Sequence, residues 1–230
     1  MAHANKLAFA AALIGLSIDA AAQNSTDEFR PQVQTYINFN EITRLYLLAS
    51  FHNQDSGAWQ GDFGVHLDFA LKPVFRRNLR AHDDVFKKRY LSFLVGYRYI
   101  TNLPSTTPKE QRALVELTTR RLLPWQLVVS DRNRGEFRFI RGQSFSSRYR
   151  NRLQIERDFS IRKFQYTPYV NAEAFYDTRY DAWIRTRYSL GVQIPVVDHV
   201  VLATYYQRQH DTRSVPPHTN LLGLQIKLYF

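Results

Sequence analysis

The sequence has no cysteine, so disulfides play no part in its architecture. It is short of acids, with 20 Asp and Glu against 31 Lys and Arg, which leaves a formal net charge of +11. Long hydrophobic runs are also lacking. The one extended apolar stretch is Leu7–Leu16, and the mean hydropathy is −0.40. A membrane-spanning helix needs about 20 consecutive apolar residues, so a helical membrane protein is excluded. A transmembrane β-strand needs only about 9–11 residues with every second one apolar, and low mean hydropathy is compatible with that. No phosphate-binding glycine loop, nucleophile elbow or metal-ligand spacing occurs, and the expectation is no cofactor and no metal.

What is present begins at the amino terminus. Lys6 precedes the apolar run, and Ala20-Ala21-Ala22 leads into Gln23. A basic residue, a short apolar core and a small-x-small exit predict a cleavable export signal over 1–22, with cleavage after Ala22 and a single mature domain over 23–230. Basic proteins often bind nucleic acid. Export argues against that here and turns the charge toward anionic solutes, lipopolysaccharide phosphates or the protein's own carboxylates.

At the other end, Leu222, Leu224, Ile226, Leu228 and Phe230 alternate with Gly223, Gln225, Lys227 and Tyr229. This is a period-2 strand with one apolar face, closing on an aromatic residue. Such a strand suits an outer-membrane barrel, with Leu224, Ile226, Leu228 and Phe230 as the insertion signal read by the barrel-assembly machinery. Similar patterns recur near 29–37, 41–52, 59–71, 86–101, 111–122, 125–140, 145–158, 164–176, 183–194 and 199–210. The expectation is an all-β protein, an antiparallel transmembrane β-barrel. Eleven patterns are counted. Bacterial barrels of one chain have even numbers with both termini at one end, so 12 strands are expected, with 10 as the alternative. The connections at 53–58, 102–110, 141–144, 177–182 and 211–219 then share one end, and those at 123–124, 159–163 and 195–198 share the end of Phe230. Two aromatic girdles are expected, from Trp125, Tyr229 and Phe230 and from Tyr176, Tyr180 and Trp183. The polar insertion 72–85 has no assigned place.

Charge parity orients the strands. Arg148, Arg150 and Arg152 share one face of 145–158, and an Arg facing lipid near the midplane costs roughly 2–4 kcal/mol. These even positions must face inward. The same reasoning directs Arg112, Glu116 and Arg120, then Arg132, Arg134, Glu136 and Arg138, then Glu173, and then Arg185 and Arg187 into the lumen. Centring each hairpin on its turn predicts a belt of alternating sign: Arg112 opposite Glu136, Glu136 opposite Arg150, Arg150 opposite Glu173, and Glu173 opposite Arg187. Cross-strand pairs of this kind stabilise by about 0.2–1 kcal/mol each. Arg132, Arg134, Arg138, Arg148, Arg152 and Arg185 are left as a basic excess, and arginine tracks select anions in pores.

An enzyme reading has one candidate, His210, Asp211 and Ser214 with His218 nearby, in what reads as a polar loop; no catalytic residue is assigned. Several segments then resemble a known family: Val85–Tyr99 (VFKKRYLSFLVGYRY), Asp131–Phe139 (DRNRGEFRF), Arg148–Phe159 (RYRNRLQIERDF), Ala172–Trp183 (AEAFYDTRYDAW) and Asn220–Phe230 (NLLGLQIKLYF). Together they resemble the domain-of-unknown-function 2490 family of proteobacterial outer-membrane barrels. The resemblance implies the barrel and its location and supplies no activity. The functional expectation is a small, basic-lumened channel for anionic solutes. A closed barrel with an ion-pair-filled lumen, a lipid-modifying hydrolase at the rim and a soluble periplasmic barrel are the alternatives.

Overall fold

The computed structural model describes residues 25–53, 59–71, 84–103, 110–162 and 164–230. The expected signal 1–22 and most of the insertion 72–85 lie outside the described residues. Alternation of apolar and polar side chains gives an extended chain one face for each environment, and the strands form where that alternation was found. They are β1 (Ser25–Asn38), β2 (Thr43–Asn53), β3 (Trp59–Ala70), β4 (Leu91–Leu103), β5 (Glu110–Leu122), β6 (Val128–Ile140), β7 (Ser146–Glu156), β8 (Phe159–Ile161), β9 (Phe164–Asp177), β10 (Ala182–Val197), β11 (Val200–Asp211) and β12 (His218–Tyr229). Two single turns of 3-10 helix, Val85–Lys88 and Pro124–Gln126, are the other regular elements among the described residues.

Consecutive strands pair antiparallel, and β1 closes the ring against β12. Among the described residues twelve strands are present, as expected, but eleven form the wall. The twelfth, β8, is a three-residue strand that pairs only with the start of β9, while β7 pairs with β9 directly. An odd number of up-and-down strands leaves the first and last running the same way. The closing pair is accordingly parallel, with Ser25 beside His218 and Tyr36 beside Tyr229. This corrects the expectation that both ends of the barrel chain meet at one end: β1 starts at the mouth opposite Phe230. The even-number rule gives way because a parallel ladder is only slightly weaker per residue than an antiparallel one.

The remaining connections sort between the two ends as expected. One strand start moves. The pattern read as a strand from 86 begins at Leu91, and Val85–Lys88 is a turn whose Phe86 is fully buried. The outward face is apolar, with Phe63, Val65, Leu67, Val115, Leu117, Val170, Leu190, Leu222 and Ile226 all exposed. Leu224 and Leu228 share that face by alternation. Phe230 is 65% exposed, and its backbone is bound to β1 by Asn38 N–H to Phe230 O at 2.7 Å and Phe230 N–H to Tyr36 O at 2.8 Å. Trp125 and Trp183 are exposed near opposite ends. Tyr229 does not join a girdle: it is 2% exposed and stacks inward on Tyr36.

That stack crosses the parallel seam. Tyr229, Tyr36, Tyr46 and His66 are direct neighbours on β12, β1, β2 and β3, and their rings follow one another at 4.9, 4.8 and 4.6 Å. The ladder ends at Gly96, directly opposite His66. A Cβ at Gly96 would collide with the imidazole. The same device lets Tyr205 lie against Gly223. Gly96→Ala is expected to destabilise the barrel by about 1–3 kcal/mol, the usual cost of overpacking. The same change in a His66→Ala background should cost little. Heat-dependent gel migration of the folded barrel measures both; equal costs in the two backgrounds would remove the steric explanation.

Candidate functional site

The lumen is the candidate site. Its cavity, about 800 Å³, is lined by strand positions of the parity that charge had assigned inward, including Arg112, Arg132, Arg134, Arg138, Arg148, Arg150, Arg152, Glu173, Arg185 and Arg187. Alternation forces this arrangement, because the other face of each strand is apolar. The consequence is crowding: Arg112 stands directly opposite Arg138, Arg134 opposite Arg150, and Arg132 opposite Arg152. Like charges facing one another across strands are destabilising unless carboxylates are set between them.

Five carboxylates do this, each shared. Glu136, with no exposed surface, meets Arg150 at 2.7 Å, Arg134 at 3.8 Å and Arg112 at 3.9 Å. Glu173 binds Arg132, Arg150 at 2.9 Å and Arg187 at 4.0 Å. Glu116 takes Arg134 at 2.5 Å and Arg132 at 3.7 Å. Glu110 bridges Arg112 at 2.7 Å and Arg138 at 2.6 Å, and Asp177 bridges Arg138 and Arg148, both at 2.9 Å. Phe175 supplies a neutral face to the same crowd, with Arg150, Arg187 and Arg185 at 4.6, 4.7 and 5.6 Å from its ring centre.

All four charge pairs of the expected belt are therefore in ion-pair contact. Their register differs at three of the four. Glu136 is opposite Arg148 rather than Arg150, Arg150 is opposite Phe175 rather than Glu173, and Arg112 is opposite Arg138 rather than Glu136. Only Arg187 and Glu173 are directly opposite. The cause lies in the turns. Trp125 and Gln126 adopt left-handed φ of 60° and 59°, Gly142 has φ of 77°, and β8 extends the turn before β9. Each moves a hairpin centre by one residue and slips the register by two, which leaves every side chain on its face. Long arginine side chains recover the pairs diagonally.

The expected basic excess needs correction. Arg132, Arg134, Arg138 and Arg148 are held by the carboxylates above, and Arg185 by Asp211. The sequence patterns place Glu110, Asp177 and Asp211 in connections, whereas each sits at a strand end facing inward. Of the six, only Arg152 has no carboxylate within ion-pair distance among the described residues, and its Nε has no hydrogen-bond partner there. Asp211 also accepts the Arg213 N–H at 2.9 Å. Among the described residues no hydrogen bond joins Ser214 to His210 or His218, whose rings lie 4.8 Å apart.

One feature had no sequence signal beyond its polarity. The turn Val85–Lys88 enters the lumen at the end of Phe230. Its N-cap Asp84 accepts the Phe86 N–H at 3.2 Å and pairs with Arg44 of β2 at 2.7 Å. The Arg44 guanidinium lies between the Phe86 and Tyr36 rings, 4.0 and 4.5 Å from their centres. Lys87 reaches Glu156 of β7 at 3.2 Å and Gln193 of β10 at 3.3 Å. Strands β2 and β7 stand on opposite sides of an eleven-strand ring, so the turn crosses the lumen.

Burial would raise the Asp84 carboxyl, but Arg44 and Lys87 beside it outweigh that and hold it down to about 2, against 3.8 ordinarily. A depressed carboxyl contributes its anchoring in full above about pH 4 and loses it as pH falls through its folded value. Pepsin cleavage at Phe86 should therefore be absent at pH 4 and appear toward pH 2, and Asp84→Asn should expose the site at pH 4 already. Cleavage insensitive to both would mean that Asp84 does not anchor the turn. For the belt, Glu136→Gln should lower unfolding stability by about 1–3 kcal/mol, because it removes the one carboxylate that Arg150, Arg134 and Arg112 share and leaves each with a single partner. Arg152→Gln, which breaks no ion pair, should leave stability unchanged or raise it. Denaturant titration of the refolded protein measures both.

A comparison with family models matches residues 45–220 to a family described as a protein of unknown function, DUF2490. A search of curated proteins found no match.

Proposed function

The chain belongs to the DUF2490 family, and from that premise we propose that it is an outer-membrane β-barrel, sealed against free ion flow, with a basic chamber open at one mouth. The closed ring, the apolar outward face and the exposed aromatics near both ends support residence in a membrane. In this reading the end of Phe230 faces the periplasm, and β12 with Leu224, Ile226, Leu228 and Phe230 is what the barrel-assembly machinery engages. The surrounding lipid and lipopolysaccharide cover the apolar band, and the expected leader 1–22 directs export.

The observation that carries the sealed reading is the turn Val85–Lys88, tied to β2, β7 and β10 across the lumen. The shared carboxylates add to it, since arginines locked in ion pairs are not free to coordinate a passing ion. A conducting, anion-selective pore is the second reading. It is favoured by the greater number of Lys and Arg than Asp and Glu along the cavity.

Conductance in a planar bilayer separates the two. The refolded protein is expected to show no steady conductance, while a variant combining Asp84→Asn with Lys87→Gln, which releases the turn, should conduct with anion preference. Steady anion-selective current from the unmodified protein would establish the pore instead.

A further inference from the structure

We propose that the chamber beside the lumenal turn binds a small, multiply charged oxyanion of the phosphate type, held by Lys87, Lys227 and Arg152. Elsewhere in the lumen, carboxylates are set between the arginines. Here they are not. The Lys87 and Lys227 ammonium groups donate to one and the same atom, Gln193 Oε1, at 3.3 and 3.0 Å. That brings two like charges within about 6 Å of each other, where they repel. Gln193 satisfies a donor of each and neutralises neither.

Lys87 has one carboxylate, Glu156 at 3.2 Å. Lys227 has none within ion-pair distance among the described residues. Arg152 stands opposite Arg132 on β6 and opposite Glu173 on β9. Glu173 is taken by Arg132 and Arg150, so Arg152 has no carboxylate within ion-pair distance among the described residues and leaves its Nε unbonded, while its charge acts on Lys227. All three side chains line the same cavity. Asp84 and Asp158 also act on Lys87, and Asp84 on Lys227, but Asp84 is bound by Arg44 at 2.7 Å and Glu156 is shared between Lys87 and Gln154, so Lys227 and Arg152 are left without an ion pair of their own among the described residues.

The donor set defines the ligand. A guanidinium offers a planar fork to two oxygens of a tetrahedral anion, and ammonium groups act as point charges on the others. A monovalent halide carries one charge and offers no pair of oxygens to the guanidinium fork, and a single carboxylate likewise neutralises only one of the three cations. An oxyanion carrying more than one negative charge answers both requirements. The same cavity extends from the lumenal turn to Thr26 and Thr219 near the far end of the barrel, and in this reading a soluble anion approaches from that direction. The site goes beyond the sealed-barrel reading, because a barrel can be closed without binding anything.

The test is isothermal calorimetry on the full refolded protein, titrated with inorganic phosphate at constant ionic strength, with chloride as the control. Saturable phosphate binding is expected, absent with chloride and roughly tenfold or more weaker in Lys227→Gln and in Arg152→Gln. Arg141→Gln, in the exposed 141–144 turn, should bind as the unmodified protein does. Heat-dependent gel migration verifies that each variant is folded. Independently of any variant, phosphate should slow acetylation of Lys87 and Lys227 in the unmodified protein and leave Lys88 unaffected. No saturable binding, equal binding of chloride, or unchanged affinity in both folded variants would overturn the site. Failure here with no conductance would still leave the sealed barrel standing, whereas phosphate binding accompanied by anion current would overturn the seal and keep the site.

Discussion

An ionised guanidinium cannot be left on an apolar outer wall, and the rest of this barrel follows from that. Period-2 strands place every second residue inward, so arginine-rich strands drive their charge into one narrow lumen. The lumen then has to neutralise it. Arg134 faces Arg150 and Arg112 faces Arg138, arrangements that would be unfavourable alone. They persist because Glu136 and Glu110 each contact both members of a facing pair. Sharing also builds in redundancy: the three arginines on Glu136 each hold a second carboxylate, Arg150 in Glu173, Arg134 in Glu116 and Arg112 in Glu110, so a change at one carboxylate is felt by several arginines at once.

A second constraint comes from the strand count. Eleven strands oblige β1 and β12 to pair in parallel, and the ring ladder Tyr229–Tyr36–Tyr46–His66 runs across that seam. Arg44 lies against the same ladder and carries Phe86 on its other face while binding Asp84. The floor of the lumen is therefore built on the seam. Closure of the ring and anchoring of the lumenal turn share one set of side chains.

Much of this was legible in the sequence. Eleven strand patterns, their faces and the inward residues followed from alternation and from the cost of a lipid-facing arginine, both properties of single strands. The pairs Arg150 with Glu136 and Arg150 with Glu173 were legible too, although the register beneath them slipped by two. Turn conformations at Trp125, Gln126 and Gly142 set that register, and they depend on backbone angles that residue types alone do not specify. The turn Val85–Lys88 was illegible because its partners, Arg44, Glu156 and Gln193, are distant in the chain and meet only when the ring closes. Glu110, Asp177 and Asp211 were illegible as inward partners because each lies one position beyond the strand bounds read from the sequence; with them most of the excess arginines are paired, although Lys and Arg still outnumber Asp and Glu along the cavity.

The arginines of the belt are committed to the carboxylates between them. A double-mutant cycle between Glu136 and Arg150, using Gln and Met and read by denaturant unfolding, tests this most directly. A coupling of about 1–3 kcal/mol is expected, typical of residues in one buried network, with the double variant more stable than Glu136→Gln alone. Additive single effects would contradict it, and would mean that the two charges sit in solvated, independent positions along an open lumen.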